Sequence, residues 1–326
     1  MIISRTPFRI TLGGGGTDLP SYYSQYDGFI FSTAINKYMY LILSEPFDDL
    51  IRLKYLGTEE VVKRPEELKH NVAREVLKSL SVDEKLDIVS LADLPAGTGL
   101  GSSGCYTVGL LNALYEYKNE YVSPTILAER ACDIEMNILK YPSGKQDPYM
   151  AAFGGMRVLN IGRAGSVVTY SIENLDLSDL NDNMLMFYTN VQRQANEVLY
   201  NQSSRIFSND KDTIKSLHNI KDIGIEILEA IVTKNYTDVG LLFNEHWKNK
   251  KKTSGRISNS TFDDIYDYGI RNGAIGGKLS GAGAGGFFLF YVEKNHDMFI
   301  EKMKCIGLRH MKYSFERSGT RIILSE

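Results

Sequence analysis

Asp93–Leu114 reads DLPAGTGLGSSGCYTVGLLNAL, and this stretch decides the fold. The β-like run Leu86–Leu91 (LDIVSL) leads into it, glycines 97, 99 and 101 follow, and from Ser103 onward Val108, Leu111 and Leu114 recur at helical spacing. The order is strand, glycine-rich turn, helix. Glycines lack Cβ atoms, so backbone N–H groups can converge there, and a helix starting at that point adds unpaired amides and the positive end of its dipole. The stretch suits an anion such as phosphate. Taken alone it is equally compatible with a tight turn that caps its own helix.

The remaining composition narrows the class. A chain of 326 residues, 43% hydrophobic and 24% charged, is long enough for two globular domains with a sizeable core. A net charge of -3 argues against a nucleic-acid binder with a broad basic face. No run approaches the roughly 18 to 20 apolar residues of a membrane span. The early Arg5, Pro7 and Arg9 do not read as a signal peptide, so a cytoplasmic location and no membrane partner are expected. Cys105, Cys132 and Cys305 show no CxxC spacing and are expected as buried free thiols rather than zinc ligands.

Two more glycine-rich turns flank the first. The alternating run Ile2–Leu12 breaks into Gly13-Gly14-Gly15-Gly16-Thr17-Asp18, where a ligand or a chain crossing must justify four glycines. Gly273–Gly286 (GAIGGKLSGAGAGG) precedes the β-forming Phe287–Val292. Between them, strands are expected at Phe29–Leu43 and Ile51–Leu56, and a helix over Glu66–Leu80 in which His70 is a surface or capping residue. Ser123-Pro124 starts a helix running to about Lys140. Its apolar arc is Leu127, Ala128, Ala131, Ile134 and Ile138, and Glu135 falls among them. A carboxylate there needs either a salt bridge or a metal ion. Asp147 follows in a turn, Met156–Ile161 and Ser166–Ile172 form a hairpin, and polar Glu173–Asn183 marks a domain boundary, giving domains of 1–178 and 179–326. Strand Met184–Tyr188 and helices at Glu197–Phe207, Thr213–Val232, Tyr236–Lys250 and Phe262–Asn272 open the second domain. The basic run Lys248, Lys250, Lys251, Lys252 and Arg256 is either a solvated helix end or a seat for an anionic substrate group.

Single-loop explanations fail. No GxxxxGK[ST] is present. Gly99, Gly101 and Gly104 satisfy GxGxxG, but a dinucleotide-dependent oxidoreductase requires a second strand ending in an acid after the helix, and the chain offers a loop and another helix. No HRD or DFG accompanies the third loop.

Taken together, the loops resemble those of the GHMP small-molecule kinases. Pro7, Arg9, Thr17 and Asp18 match the first family motif; Pro95, Gly99, Leu100, Gly101, Ser102 and Ser103 match P-x-x-x-G-L-G-S-S; Lys278, Gly281, Gly283, Gly285 and Gly286 match K-x-x-G-x-G-x-G-G. The resemblance implies an α+β protein, with a β-rich N-terminal domain carrying helices on one face and a ferredoxin-like C-terminal domain. It implies ATP and Mg²⁺, with ATP at Pro95, Gly97, Gly99, Leu100, Gly101, Ser102, Ser103 and Gly104, and the metal at Ser103 and Glu135. Asp147 would face the acceptor hydroxyl with Arg9 near the transferred phosphoryl group, and Asp18, Thr17, Gly16, Gly281 and Gly283 would bind substrate. RTPFRITLGGGGTDLPSYY, PSGKQDPYMAAFGG and GGKLSGAGAGGFFLFY are most similar to the bacterial branch acting on C1 of D-glycero-D-manno-heptose 7-phosphate for surface polysaccharide. Lys145, Arg193, Lys251, Lys252 and Arg256 would then be candidates for holding the substrate phosphate. Gly14-Gly15-Gly16 stands where galactokinases have Gly-Glu-His, which separates this chain from a galactose-type contact set, with fucose and mannose kinases as the nearest competitors. The resemblance leaves monomer or homodimer open.

Overall fold

The computed structural model describes residues 1–192 and 195–326. The first half contains β1 (Ile2–Gly13), α1 (Pro20–Tyr26), β2 (Gly28–Ser44), β3 (Ile51–Tyr55), β4 (Thr58–Val62), α2 (Asn71–Ser79), β5 (Leu86–Ala92), α3 (Ser102–Tyr117), α4 (Pro124–Cys132), α5 (Gln146–Phe153), β6 (Met156–Ile161), β7 (Val167–Ser171) and α6 (Ser178–Asn183). The second half contains β8 (Met184–Tyr188), α7 (Ala195–Phe207), α8 (Lys211–Val232), α9 (Tyr236–Thr253), α10 (Ser260–Arg271), β9 (Gly276–Leu279), β10 (Phe287–Tyr291), α11 (His296–Cys305), β11 (Arg309–Met311), β12 (Phe315–Glu316) and β13 (Arg321–Ser325).

Strand β2 organises the larger sheet. Its β-branched and aromatic residues extend over 17 positions, long enough to pair with β1 along its length, with β6 through residues 28–33 and with β5 through residues 39–44. The main path of this sheet is β13-β1-β2-β5-β3-β4. Helix α3 packs against β1, β2 and β13, and most of its residues are buried, so it is a core helix rather than a surface one. The second sheet has the order β11-β8-β10-β9, all antiparallel. Numbered within that unit the strands run 4-1-3-2 with helices after the first and third, which is the ferredoxin-like arrangement expected from the sequence.

The two halves are not independent. Beyond residue 178 the chain supplies β12 and β13 to the first sheet, and α8 packs on β1 and β2. The larger core also takes in Met186, Phe243 and Leu289. The polar stretch 173–183 therefore marks a crossover between sheets, after which the chain still returns to the first. Among the described residues no helix is long and apolar enough to cross a membrane.

Three local readings change. The helix expected over Glu66–Leu80 begins at Asn71, because buried Leu68 is extended and the His70 side chain accepts from the Ala73 N–H as the cap. The helix after Ser123 becomes a π-turn at Asp133–Ile138, with the Leu139 N–H bonded to the Ile134 carbonyl. The wider turn rotates the arc, leaving Ile138 exposed and Glu135 only 2% exposed. Cys105 and Cys132 are buried thiols, but Cys305, at the end of α11, is exposed.

Candidate active site

A cavity of about 570 Å³ lies where the three glycine-rich turns meet. The first turn links β1 to α1. Gly14 takes a positive φ of 78°, and any Cβ there would run into the Phe29 carbonyl, so a chain crossing accounts for this glycine. Gly15, Gly16 and Asp18 line the cavity, whereas Thr17 does not. The fully buried Thr17 hydroxyl lies 2.8 Å from the carbonyl oxygens of Gly14 and Phe29 and accepts the Phe29 N–H. Thr17 thus pins the loop instead of meeting a substrate.

The second turn delivers the start of α3. Its cap residue Gly101 is left-handed and supplies no side-chain cap, so the first amides of α3 stay open towards the cavity. Gly97, Gly99, Gly101, Ser102 and Ser103 line it. Pro95 and Leu100 support the loop from behind, their carbonyls accepting from the Thr98 hydroxyl and the Arg9 backbone N–H. The third turn packs onto the second: a Cβ on Gly99 would lie 2.7 Å from the Ser280 carbonyl oxygen, and one on Gly281 would strike Gly99. Gly281 lines the cavity, but Gly283 packs against Ile257 and serves the loop contact.

Two carboxylates flank the first turn of α3. Asp147 sits in the first turn of α5, not in the free turn expected from Asp-Pro, and Gly104 allows that approach because a Cβ there would lie 2.8 Å from the Asp147 Cβ. Its Oδ1 accepts from Arg9 Nε at 2.8 Å and Nη2 at 2.6 Å, while Arg9 Nη1 donates to the Gly99 carbonyl at 2.6 Å. Among the described residues Oδ2 has no protein donor, and the side chain is 31% exposed at the cavity. The Asp18 carboxylate, nearly buried, accepts from the Gln146 N–H at 3.1 Å and the Gly16 N–H at 3.3 Å. Burial, and then the charge of Asp147, push its carboxyl above the usual range.

Glu135 is held differently. Its Oε1 accepts from Ser103 Oγ at 3.0 Å and Thr107 Oγ1 at 2.6 Å, and no cation pairs with it among the described residues. Burial raises this carboxyl to about 7. The salt-bridge explanation for a carboxylate on that arc is therefore removed. A divalent cation fits the donor set, since magnesium sites commonly combine one or two carboxylates with substrate phosphates and water. No larger cluster of His, Cys, Asp or Glu suited to a metal occurs among the described residues.

Several expected phosphate-holding cations are turned elsewhere. Lys145 is buried and bonds Glu129 at 2.9 and 3.0 Å, Lys251 pairs with Asp263 and Arg256 with Glu197. Arg193 lies outside the described residues. In their place the cavity wall presents Gln202, His246, Lys250, Lys278 and Ser280. An aromatic group also lines the cavity, with His70 edge-on to Tyr55 at 4.6 Å and against Tyr106 at 4.8 Å. Thr107 was within reach of sequence reasoning, lying four positions after Ser103 on the same helix face. The aromatic group was not, because its members come from three separate elements.

Comparison with known proteins agrees with this geometry. The family descriptions "GHMP kinases N terminal domain" and "GHMP kinases C terminal" match residues 66–155 and 227–302, half of the chain. A D-glycero-alpha-D-manno-heptose 7-phosphate kinase of Campylobacter jejuni is 28% identical, covering 98% of both chains. A crystal structure described as a D-glycero-D-manno-heptose 1-phosphate kinase from Bacteroides thetaiotaomicron superposes with a TM-score of 0.81 over all of both chains at 23% identity. The galactokinase of Lactococcus lactis bound to galactose superposes at 0.76, covering 98% of this chain and 94% of the other at 18% identity. With both family domains present in order and their glycine loops meeting round one cavity, the chain belongs to the GHMP kinases and is a phosphotransferase with an alcohol group as acceptor.

Proposed function

We propose that this protein transfers the γ-phosphoryl group of ATP to the anomeric C1 hydroxyl of D-glycero-D-manno-heptose 7-phosphate, giving the 1,7-bisphosphate for nucleotide-activated heptose and surface polysaccharide. The observation that carries the reaction is the Arg9–Asp147 pair, which holds one carboxylate oxygen and leaves the other at the cavity, beside the open amides of α3. The full-length similarity to the Campylobacter heptose kinase supports the choice of sugar.

Phosphoryl transfer asks the protein mainly for positioning and charge neutralisation. The amides of Ser102, Ser103 and Gly104 hold the nucleotide phosphates. Tyr55, His70 and Tyr106 supply a flat apolar seat for the adenine. Asp18 and the Gly15-Gly16 backbone fix the sugar. Asp147 Oδ2 accepts the hydrogen bond of the C1 hydroxyl and takes its proton as the new O–P bond forms and the bond from the γ-phosphorus to the bridging oxygen breaks. Arg9 fixes Asp147 through Oδ1 for this step and sits beside the group in transfer. Ser103 and Glu135 would hold Mg²⁺, which when bound neutralises phosphate charge.

A panel of turnover assays tests the substrate. The heptose 7-phosphate is expected to be phosphorylated far faster than mannose, fucose or galactose. Good turnover of one of those neutral sugars with none of the heptose phosphate would overturn the assignment and favour a fucose- or mannose-type kinase.

A further inference from the structure

Among the described residues, three polar atoms in one wall of the cavity have no partner. His246 on α9 is 2% exposed, and neither ring nitrogen makes a hydrogen bond; the buried Ser280 hydroxyl, just beyond β9, is equally alone. Unsatisfied buried polar groups cost a folded protein stability, so a cluster of them facing a cavity needs a ligand to explain it. Lys278 lies beside them, 2% exposed, its Nζ donating to the Leu12 carbonyl over the Phe243 ring and forming no ion pair among the described residues. Lys250, one turn on from His246 on the same face of α9, donates to the carbonyl oxygens of Leu279 and Gly281. All four side chains line the cavity.

Among the described residues, the ionisable groups His246, Lys250 and Lys278 of this wall are all bases. Burial, and then the neighbouring Lys250, push Lys278 well below its usual range; burial followed by Lys278 and Lys250 does the same to His246. The carboxylates Asp18 and Asp147 are grouped with Arg9 instead. Neighbouring basic groups beside hydrogen-bond donors are stabilised when a multiply charged oxyanion enters.

Resting on the sugar-phosphate kinase reading above, we infer that His246, Lys250, Lys278 and Ser280 form the seat for a phosphate monoester carried by the acceptor sugar, separate from the nucleotide cradle at α3. Its oxygens would accept from both ammonium groups, the Ser280 hydroxyl and one ring N–H of His246. The seat and Asp147 line the same cavity, as a sugar with its C1 hydroxyl at Asp147 and its phosphate in the seat would require.

Calorimetric titration of inorganic phosphate into the full protein saturated with Mg²⁺ and a non-hydrolysable ATP analogue tests this. Wild type should bind phosphate without releasing nucleotide. Ser280→Ala should weaken binding several-fold, and His246→Phe and Lys278→Met by at least about tenfold. Ser280→Ala and His246→Phe remove only unpartnered atoms, so both should melt no lower than wild type, which keeps the test clear of misfolding. In turnover assays the same two variants should raise KM for the sugar phosphate at least several-fold, with little change in kcat. Absence of phosphate binding, displacement of the nucleotide, or equal affinity in wild type and both variants would overturn the inference. A wild type that turns over only unphosphorylated sugars overturns both readings. One that turns over the sugar phosphate, with affinity indifferent to both substitutions, overturns this inference alone.

Discussion

Asp147 and Glu135 flank the same turn of α3 and are held by different partners. Asp147 has an arginine on one oxygen and, among the described residues, no protein donor on the other. Glu135 has only the hydroxyls of Ser103 and Thr107, and burial lifts it to about 7. The contrast shows that burial alone does not set the role of an acid; the partner does.

The comparison can be broken most sharply at Asp147. Asp147→Asn keeps the shape and loses the charge, and turnover is expected to fall by roughly 10²- to 10⁴-fold, the range for a positioned base. ATP affinity, read by equilibrium dialysis, should stay within a few-fold of wild type. Near-normal turnover would end the catalytic assignment. Next in size is Arg9→Met, which removes the cation from Asp147. It should cost on the order of a hundredfold in kcat, because the guanidinium no longer fixes Asp147 Oδ1.

Glu135 sharpens the other half of the contrast. Its folded carboxyl lies near 7 against an ordinary 4.5, so the folded state binds more protons between those values. Metal-free stability is therefore greatest below about pH 4.5 as far as this group is concerned, and on the order of 3 kcal/mol of it is lost as pH rises to about 7. Glu135→Gln should flatten that dependence in denaturant melts. It should also remove the Mg²⁺-dependent part of the rise in melting temperature that wild type is expected to show with Mg²⁺ and ATP at pH 8. An unchanged Mg²⁺ response would remove Glu135 from the metal site. The smallest expected effect is that of Thr107→Val, which deletes one hydroxyl from Glu135. A few-fold change in the Mg²⁺ requirement is expected, in the direction of tighter binding if the valine leaves Glu135 with one acceptor site more to fill.

Much of this architecture was legible before any coordinates. The strand–turn–helix order at Leu86–Leu114, the long β2 and the helices α7 to α10 follow from local pattern, whereas α11 was not expected and the three glycine turns were joined only by the family resemblance. The resemblance supplied the ferredoxin-like unit, and the observed strand order agrees. Long-range neutralisation was what the sequence concealed. Nothing near Lys145 reveals that Glu129, sixteen positions earlier, takes its charge, nor does the run at Lys248–Arg256 reveal that Lys251 and Arg256 are paired while Lys250 turns to the cavity. Thr17 looked like a rim hydroxyl because it adjoins Asp18, yet a fully buried loop anchor has the same local sequence. The π-turn at Asp133–Ile138 was hidden for a related reason: periodicity assumes one helical pitch, and tertiary packing imposed another.

The central claim is a kinase that phosphorylates C1 of a sugar already bearing phosphate. Phosphorus NMR of the product formed from D-glycero-D-manno-heptose 7-phosphate, ATP and Mg²⁺ tests it most directly. The account predicts a second sugar phosphate signal, coupled to the anomeric proton, that grows in step with ADP. A signal coupled to a non-anomeric proton, or ADP release with no new sugar phosphate, would contradict it.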